Sequence, residues 1–405
     1  VSLPLEGIRV IELAEQGFVP TTGAALADFG ADVIKIERPS GDPMRQVIAA
    51  GMVPTGEDGY DFLFELFNRN KRGIALDITG PEGRAVFERL LRSADVYITN
   101  QLPRVQRKLA TEPADLLAIN PKLVIARGHG QGQRGPDAET GGYDAVSYWS
   151  RGSVAHVLTD KAAVEPAMQR PALGDIPSGT YLTAGVCAAL VQVARTGKGM
   201  VVDTSLLNAA TWTLGPDLAY TSMTGEQMPL GVAPRSPLTM PYRTVDDRFV
   251  NLMMINEDRY WGPATTALGL TALADRYPDA AARRPHWLEL REPFQAAIGA
   301  LTKAEVERAL REHECIYSFY ATPQEVLGDE AVSLNGYLMQ HPEHPSVRLP
   351  AAPVQFDNQL PAIHRASPRI GEHTAEVLAE MAFGAEEVAG LLAAGVAVQH
   401  GGPGA

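Results

Sequence analysis

Asp175 has the setting that most suggests chemistry. It lies in Pro171-Ala172-Leu173-Gly174-Asp175-Ile176-Pro177-Ser178-Gly179, a single carboxylate among small and turn-forming residues. The apolar run that follows, over residues 180–191, predicts a buried helix. A carboxylate on a tight turn ahead of a helix feels the positive end of the helix dipole and is held ionised. Without bulky neighbours it is open to a substrate carbonyl, and this combination suits a carboxylate nucleophile. Aspartate is also a preferred capping residue, so a purely local role fits the same residues.

Basic residues recur at places where a ligand would be held. Lys35, Arg38 and Arg45 follow one strand signal, and Asn68-Arg69-Asn70-Lys71-Arg72 precedes another. Arg104, Arg107 and Lys108 come after Asn100, and Arg127 ends a further strand. Forks and point charges so placed can grip a polyphosphate, the plain alternative being solvated surface charge. Gly128-His129-Gly130-Gln131-Gly132 follows a strand, but Gln133-Arg134-Gly135-Pro136 stands where a dinucleotide fingerprint needs a helix, so it reads as a loop lining a pocket. His313-Glu314-Cys315 and His341-Pro342-Glu343-His344 lack the spacing of metal ligands, and no metal site is expected. Neither a Ser-His-Asp arrangement nor a Gly-x-Ser-x-Gly elbow can be read.

The elements that must position these residues follow from periodicity. Strand signals over residues 8–13, 32–37, 73–77, 95–100 and 123–127 alternate with helix signals that end at Gly30, cover 81–91 and end at 119. This alternation predicts an α/β fold, a parallel sheet with helices on both faces. Ligands in such folds bind outside the carboxyl ends of the strands. Those ends carry Glu15-Gln16-Gly17, Glu37-Arg38, Asn100-Gln101 and Arg127-Gly128-His129. The texture changes near residue 224: prolines gather over 229–241, a hairpin is predicted over 242–252 with its turn at Asp246-Asp247, and helical segments run to about 327. Another helix starts near 370–378. The chain is read as a large domain over 1–224, a smaller α+β domain over 225–330, and a return segment over 331–405 that completes the first.

Composition excludes several classes. A chain of 405 residues exceeds what one core usually serves. The net charge of −13 argues against nucleic-acid binding. Cys187 and Cys315 make no disulfide framework and fit a reducing cytosol. Residues 1–6 show no basic region leading into an apolar stretch, and no uninterrupted apolar run is long enough to span a bilayer. A cytoplasmic protein with no membrane partner is expected.

Taken in order, further segments resemble one family. They are Pro4-Leu5-Glu6-Gly7-Ile8-Arg9-Val10-Ile11-Glu12-Leu13, residues 27–38, Asn68-Arg69-Asn70-Lys71-Arg72-Gly73 with residues 74–77, Ala172-Leu173-Gly174-Asp175, Thr196-Gly197-Lys198-Gly199 with Val202-Asp203, and Gly371-Glu372-His373-Thr374. Together they are similar to the family III coenzyme A transferases, the CaiB/BaiF family, over nearly the whole chain. The resemblance implies a Rossmann-like large domain built from both chain ends, a smaller central domain and an interlocked homodimer. It implies acyl-CoA and carboxylic acid substrates, with no cofactor beyond the coenzyme A thioester itself. Asp175 would attack the thioester, passing through an aspartyl anhydride and an aspartyl-CoA thioester. At the usual carboxyl pKa of ~3.9 it would be ionised without a separate base.

By the same resemblance the Gln16-Gly17 turn would lie over the thioester, its backbone N–H groups facing the oxyanion. Arg38 and Lys71 would sit near the adenine and 3′-phosphate end of CoA. Asn100, Lys108 and Arg127 would contact the CoA backbone and phosphates, and His129 would face the acyl pocket. Three departures stand out. Gly17 occupies the place of a family Gln. Lys108 replaces an Arg and so loses bidentate phosphate recognition. Gly231-Val232-Ala233-Pro234-Arg235 stands where formyl-CoA transferase has a glycine-only lid. Oxalate and formate are therefore not expected as substrates. An acyl-CoA racemase of the same family is the first alternative, but Tyr143 aligns with its His base, and a tyrosine of pKa ~10 is a poor base at neutral pH. The second alternative, an acyl-CoA-binding protein without turnover, sits poorly with an intact Asp175.

Overall fold

Val10 and Ile11, Val33 and Ile34, Val96 and Tyr97, and Val124 and Ile125 are successive strand residues that point to opposite faces of one sheet. Both faces are covered, which is why these strands read as apolar runs. The strands are β1 (Arg9–Leu13), β2 (Asp32–Glu37), β3 (Arg72–Leu76), β4 (Val96–Thr99), β5 (Val124–His129) and β6 (Met200–Ser205). They pair in parallel in the order β3-β2-β1-β4-β5-β6, and the short strand Ala397–Val398 adds antiparallel to β3. The computed structural model describes residues 2–54, 60–160, 163–229 and 235–401.

On one face, Val10, Val33, Val96 and Val124 pack with Phe18, Val19 and Leu26 of α1 (Phe18–Asp28) and with Leu182, Val186 and Ala189 of a long helix, Asp175–Thr196. After α2 (Phe62–Asn68), the opposite face receives Val86, Phe87, Leu90 and Leu91 of α3 (Pro81–Arg92). It also takes Leu116 of the helix Pro113–Ile119, together with Val377 and Leu378 of the helix Thr374–Glu380. Pro81 at the first position of α3 costs nothing, because the missing N–H would have had no intrahelical acceptor.

The chain divides into two compact units, Val1–Ala219 with Leu334–Ala405, and Tyr220–Ser333. The second unit holds a three-stranded antiparallel sheet. The hairpin strands β7 (Pro241–Arg243) and β8 (Phe249–Leu252) pair with Tyr242 opposite Val250, and Asp247 in the turn takes a left-handed φ of 62°. β9 (Tyr317–Phe319) adds to β8, and Trp261 stacks on Phe294 in the core beneath, with centroids 5.7 Å apart.

The long helix Asp175–Thr196 departs from expectation in two ways. It is buried along one face only, and Ile176, Tyr181 and Val191 on its other side are exposed. By length and composition it is also able to cross a bilayer, where no apolar run of that length was expected. The packing of Leu182 and Val186 on the sheet is that of a core helix in a globular unit.

Candidate active site

The strand order reverses direction between β1 and β4, and a crevice opens outside their carboxyl ends at such a switch point. The turn after β1 is fixed there by almost every backbone group it has. The Asn100 carboxamide, just past β4, accepts from Glu15 N–H at 3.1 Å and donates to the Glu15 carbonyl at 2.6 Å. Gln16 donates its N–H to Asp42 Oδ1 at 3.2 Å and holds a left-handed φ of 68°, a strained conformation for a residue with a side chain. The Gly17 carbonyl accepts from Thr21 N–H at 2.9 Å as α1 begins. The Gly17 N–H has no acceptor among the described residues.

Asp175 is the first residue of its helix and comes to this turn from the other side. A Cβ on Gly17 would lie 2.5 Å from Asp175 Oδ2 and 3.3 Å from Phe67 Cζ, so only glycine admits the carboxylate at this distance. The close approach is set by where the two helices cross. Thr22 Oγ1 donates to the Gly179 carbonyl at 3.0 Å, and a Cβ on Gly179 would lie 2.6 Å from the Phe18 carbonyl oxygen. The N-termini of α1 and of the Asp175 helix therefore converge on one carboxylate.

Asp175 does not cap its own helix: its carboxylate accepts no hydrogen bond among the described residues. Asp144, to which no role falls from sequence alone, takes that place. Its Oδ2 accepts from Gly174 N–H at 3.4 Å and from Gln169 Nε2 at 2.9 Å. The signal that could have found it is a second carboxylate in a glycine-rich segment, Gly141-Gly142-Tyr143-Asp144. Gly142 lies against Gly130, where a Cβ would stand 2.7 Å from the Gly142 Cα, so the His129–Gln131 loop braces the segment that carries Asp144.

Asp175 is not held ionised as its place before a helix implied. Burial, with the Asp144 carboxylate beside it, pushes its carboxyl up to about 8. Desolvation and a like charge outweigh the two helix N-termini, so the group holds its proton at neutral pH in the unliganded chain. A carboxyl placed so unfavourably for folding, without a counter-ion, marks a functional site more often than a structural one.

The basic residues fare differently. The expectation that Lys71 lies at the adenine end of CoA is not met in this structure. Its side chain is fully buried and its ammonium is satisfied by Glu12 Oε2 at 2.7 Å, the Pro20 carbonyl at 2.9 Å and Asn68 Oδ1 at 3.0 Å. Arg38 is exposed and ion-paired with Glu15 at the mouth of the switch point. Asn100 is committed to Glu15, as described above. Arg127 forks onto Asp203 at 2.8 and 3.1 Å and donates to Gln133 Oε1 at 2.7 Å. His129 Nε2 meets the same Asp203 Oδ1 at 2.9 Å, buried at the end of β5. Lys35, Arg45, Arg69 and Arg72 are spent on Asp42, Glu37, Asp28 and Asp32, and Arg107 on Glu139. Of this basic set, the exposed Lys108 alone has neither ion pair nor hydrogen bond among the described residues. Residues 231–234, expected to replace a lid loop, lie outside the described residues.

A sequence profile described as CoA-transferase family III matches residues 5–374. The chain belongs to CoA-transferase family III. As a member of that family it is a CoA-transferase. It is 31% identical over 395 residues to cinnamoyl-CoA:phenyllactate CoA-transferase of Clostridium sporogenes, with 94% of each chain covered. It is also 29% identical over 394 residues to alpha-methylacyl-CoA racemase of Mus musculus, with 95% of each covered. Among solved structures, a CAIB/BAIF family protein from Brucella suis superimposes with a TM-score of 0.79 at 28% identity, covering 94% of this chain and 100% of that one.

Proposed function

We propose that the protein moves coenzyme A from an acyl-CoA to a carboxylic acid, with Asp175 as the covalent carrier. The observation that carries this reading is the Asp175 carboxylate, without a counter-ion or hydrogen bond among the described residues, pressed against Gly17 at the switch-point crevice. Once deprotonated, an Asp175 oxygen attacks the thioester carbonyl. The negative charge that develops on the thioester carbonyl oxygen faces the free Gly17 N–H and the first turn of α1, whose amides have no intrahelical acceptors. The C–S bond breaks, the thiolate leaves and a mixed anhydride remains. The thiolate then attacks the aspartyl carbonyl, expelling the donor carboxylate and forming an aspartyl-CoA thioester. An acceptor carboxylate attacks that thioester to give a second anhydride and free thiolate. The thiolate finally attacks the acyl carbonyl, releasing the new acyl-CoA and restoring Asp175. Each step is an acyl transfer at a carbonyl and calls on neither metal nor redox cofactor.

Within this reading CoA lies along the carboxyl ends of the strands, with Arg38, Lys108 and Arg127 on its path and His129 toward the acyl group. Arg38 and Arg127 would exchange their present carboxylate partners for phosphate. The enzyme acts in the cytoplasm as a homodimer, and the exposed apolar side of the Asp175 helix, with Ile176, Tyr181 and Val191, supports an association of copies. The racemase relative defines the competing reading. That chemistry needs a second base, and the residue aligned with it, Tyr143, is a phenol that is 65% exposed. Incubation of an acyl-CoA with a second carboxylic acid in deuterated water separates the outcomes by mass spectrometry. Transfer gives a new acyl-CoA without deuterium next to the carbonyl. Racemisation gives that deuterium without an acceptor, and a pure binding protein gives neither.

A further inference from the structure

Beneath the Gln16–Gly17 turn lies a closed set of four charges. Lys35 of β2 donates to Glu12 Oε1 at 3.1 Å and to the Ala14 carbonyl at 2.8 Å, and forms an ion pair with Asp42 Oδ2 at 2.9 Å. Lys71 forms an ion pair with the other Glu12 oxygen and donates to the Pro20 carbonyl in α1 and to Asn68. Asp42 in turn accepts from Gln16 N–H at 3.2 Å and from Met44 N–H at 2.9 Å. All four side chains are buried, and two carboxylates balance two ammonium groups. Gly23 of α1 lies directly on the cluster, since a Cβ there would fall inside the Glu12 carboxylate.

Two features separate this arrangement from ordinary scaffolding. The cluster reaches the turn at both sides of Glu15, through the Ala14 carbonyl and the Gln16 amide, and reaches α1 through Pro20. Buried ion pairs are also a poor route to stability, since well-packed apolar residues do as well or better. An apolar residue at position 42 would fill space but could not accept the Gln16 N–H.

We propose that Glu12, Lys35, Asp42 and Lys71 form a buried positioning cluster that holds the Gln16–Gly17 turn against Asp175 during acyl transfer, with Asp42 acting directly on the turn. This rests on the covalent reading given above. The cluster contacts no substrate. It fixes Gln16 in its left-handed conformation, and so fixes where the Gly17 amide points.

The test is the variant Lys35→Met/Asp42→Leu, which removes one positive and one negative charge and leaves the Glu12–Lys71 pair balanced. Three quantities are read: thermal midpoint, CoA affinity by calorimetry, and the rate at which the Asp175 peptide is acylated in a single turnover. The cluster proposal expects a midpoint near the parent's and CoA affinity within about threefold, but acylation slowed about 10- to 100-fold, as misplacement by about 1 Å can do. Hydrogen exchange at the Gln16 amide should be faster. Asp42→Asn, which keeps one carbonyl oxygen for that amide, should retain more of the rate than the double variant. A folded double variant that acylates Asp175 at the parental rate overturns the proposal. If the double variant does not fold, Asp42→Ser, too short to reach Gln16, is measured at low temperature, and a parental rate there overturns it equally. The parent is the control: no acylation in the parent sinks the covalent reading and this one with it, whereas equal rates in parent and variant sink only the cluster.

Discussion

Two pairs of carboxylates, one fully buried and one half-buried, lie on either side of the same turn and are treated in opposite ways. Glu12 and Asp42 are enclosed with Lys35 and Lys71, their charges balanced and nearly every donor matched to an acceptor. Asp144 and Asp175 have each other and, among the described residues, no cation. Burial, together with the neighbouring carboxylate, raises the Asp175 pKa to about 8, and burial raises that of Asp144 as well. Against burial, which acts the other way, Lys35 and the backbone N–H groups hold Asp42 below the ordinary carboxyl range. The first pair has been neutralised for architecture. The second is held at a cost to folding, which is tolerated where a reactive group is wanted.

The comparison can be broken most forcefully at Asp175. Asp175→Asn should lose transfer by about four powers of ten or more while still binding CoA, as expected when a covalent nucleophile is removed. The same variant should gain stability. Between the unfolded carboxyl pKa near 3.8 and the folded value of about 8, the native state binds a proton that the unfolded state lacks, so stability falls as pH rises through that window. The gain in thermal midpoint should therefore be larger at pH 8 than at pH 5. Glu12→Leu should do the reverse. It leaves Lys71 without a carboxylate and should cost about 3–5 kcal/mol by denaturant titration, the usual penalty for breaking one side of a buried pair. A Glu12→Leu protein as stable as the parent would dissolve the distinction between the two pairs.

Smaller effects sharpen it. Gly17→Ala puts a methyl group within 2.5 Å of Asp175 Oδ2 and should lower the turnover rate by about 100-fold with little loss of stability. Steady-state kinetics beside a melting curve separate the two. Asp144→Asn removes the like charge, so the pH midpoint of Asp175 acylation should move down by about one unit. An unchanged midpoint would mean that burial alone sets the Asp175 pKa.

Much of the frame could be read from the chain because it depends on neighbours in sequence. Short apolar runs marked β1, β2, β4 and β5, and Asp175 was marked by the small residues around it. What escaped depends on partners far apart. Asn68-Arg69-Asn70-Lys71-Arg72 reads as a basic patch, and only the fold brings Lys71 to Glu12 and Arg72 to Asp32. Periodicity cannot show that most of a cationic set is already paired. Nor could the ionisation of Asp175 be inferred, since the like charge comes from Asp144, thirty-one positions earlier, and the desolvation from α1. The three-residue β9 and the two-residue strand Ala397–Val398 are too short to carry a periodic signal.

The central claim is that a covalent bond forms at Asp175, and trapping tests it most directly. The protein is mixed with acyl-CoA at a pH near 8 and quenched into hydroxylamine, and the peptide carrying Asp175 is weighed by mass spectrometry. The account predicts an aspartyl hydroxamate at position 175 that appears with substrate and is absent without it. An unmodified Asp175 peptide, recovered while CoA transfer proceeds in the same tube, would contradict it.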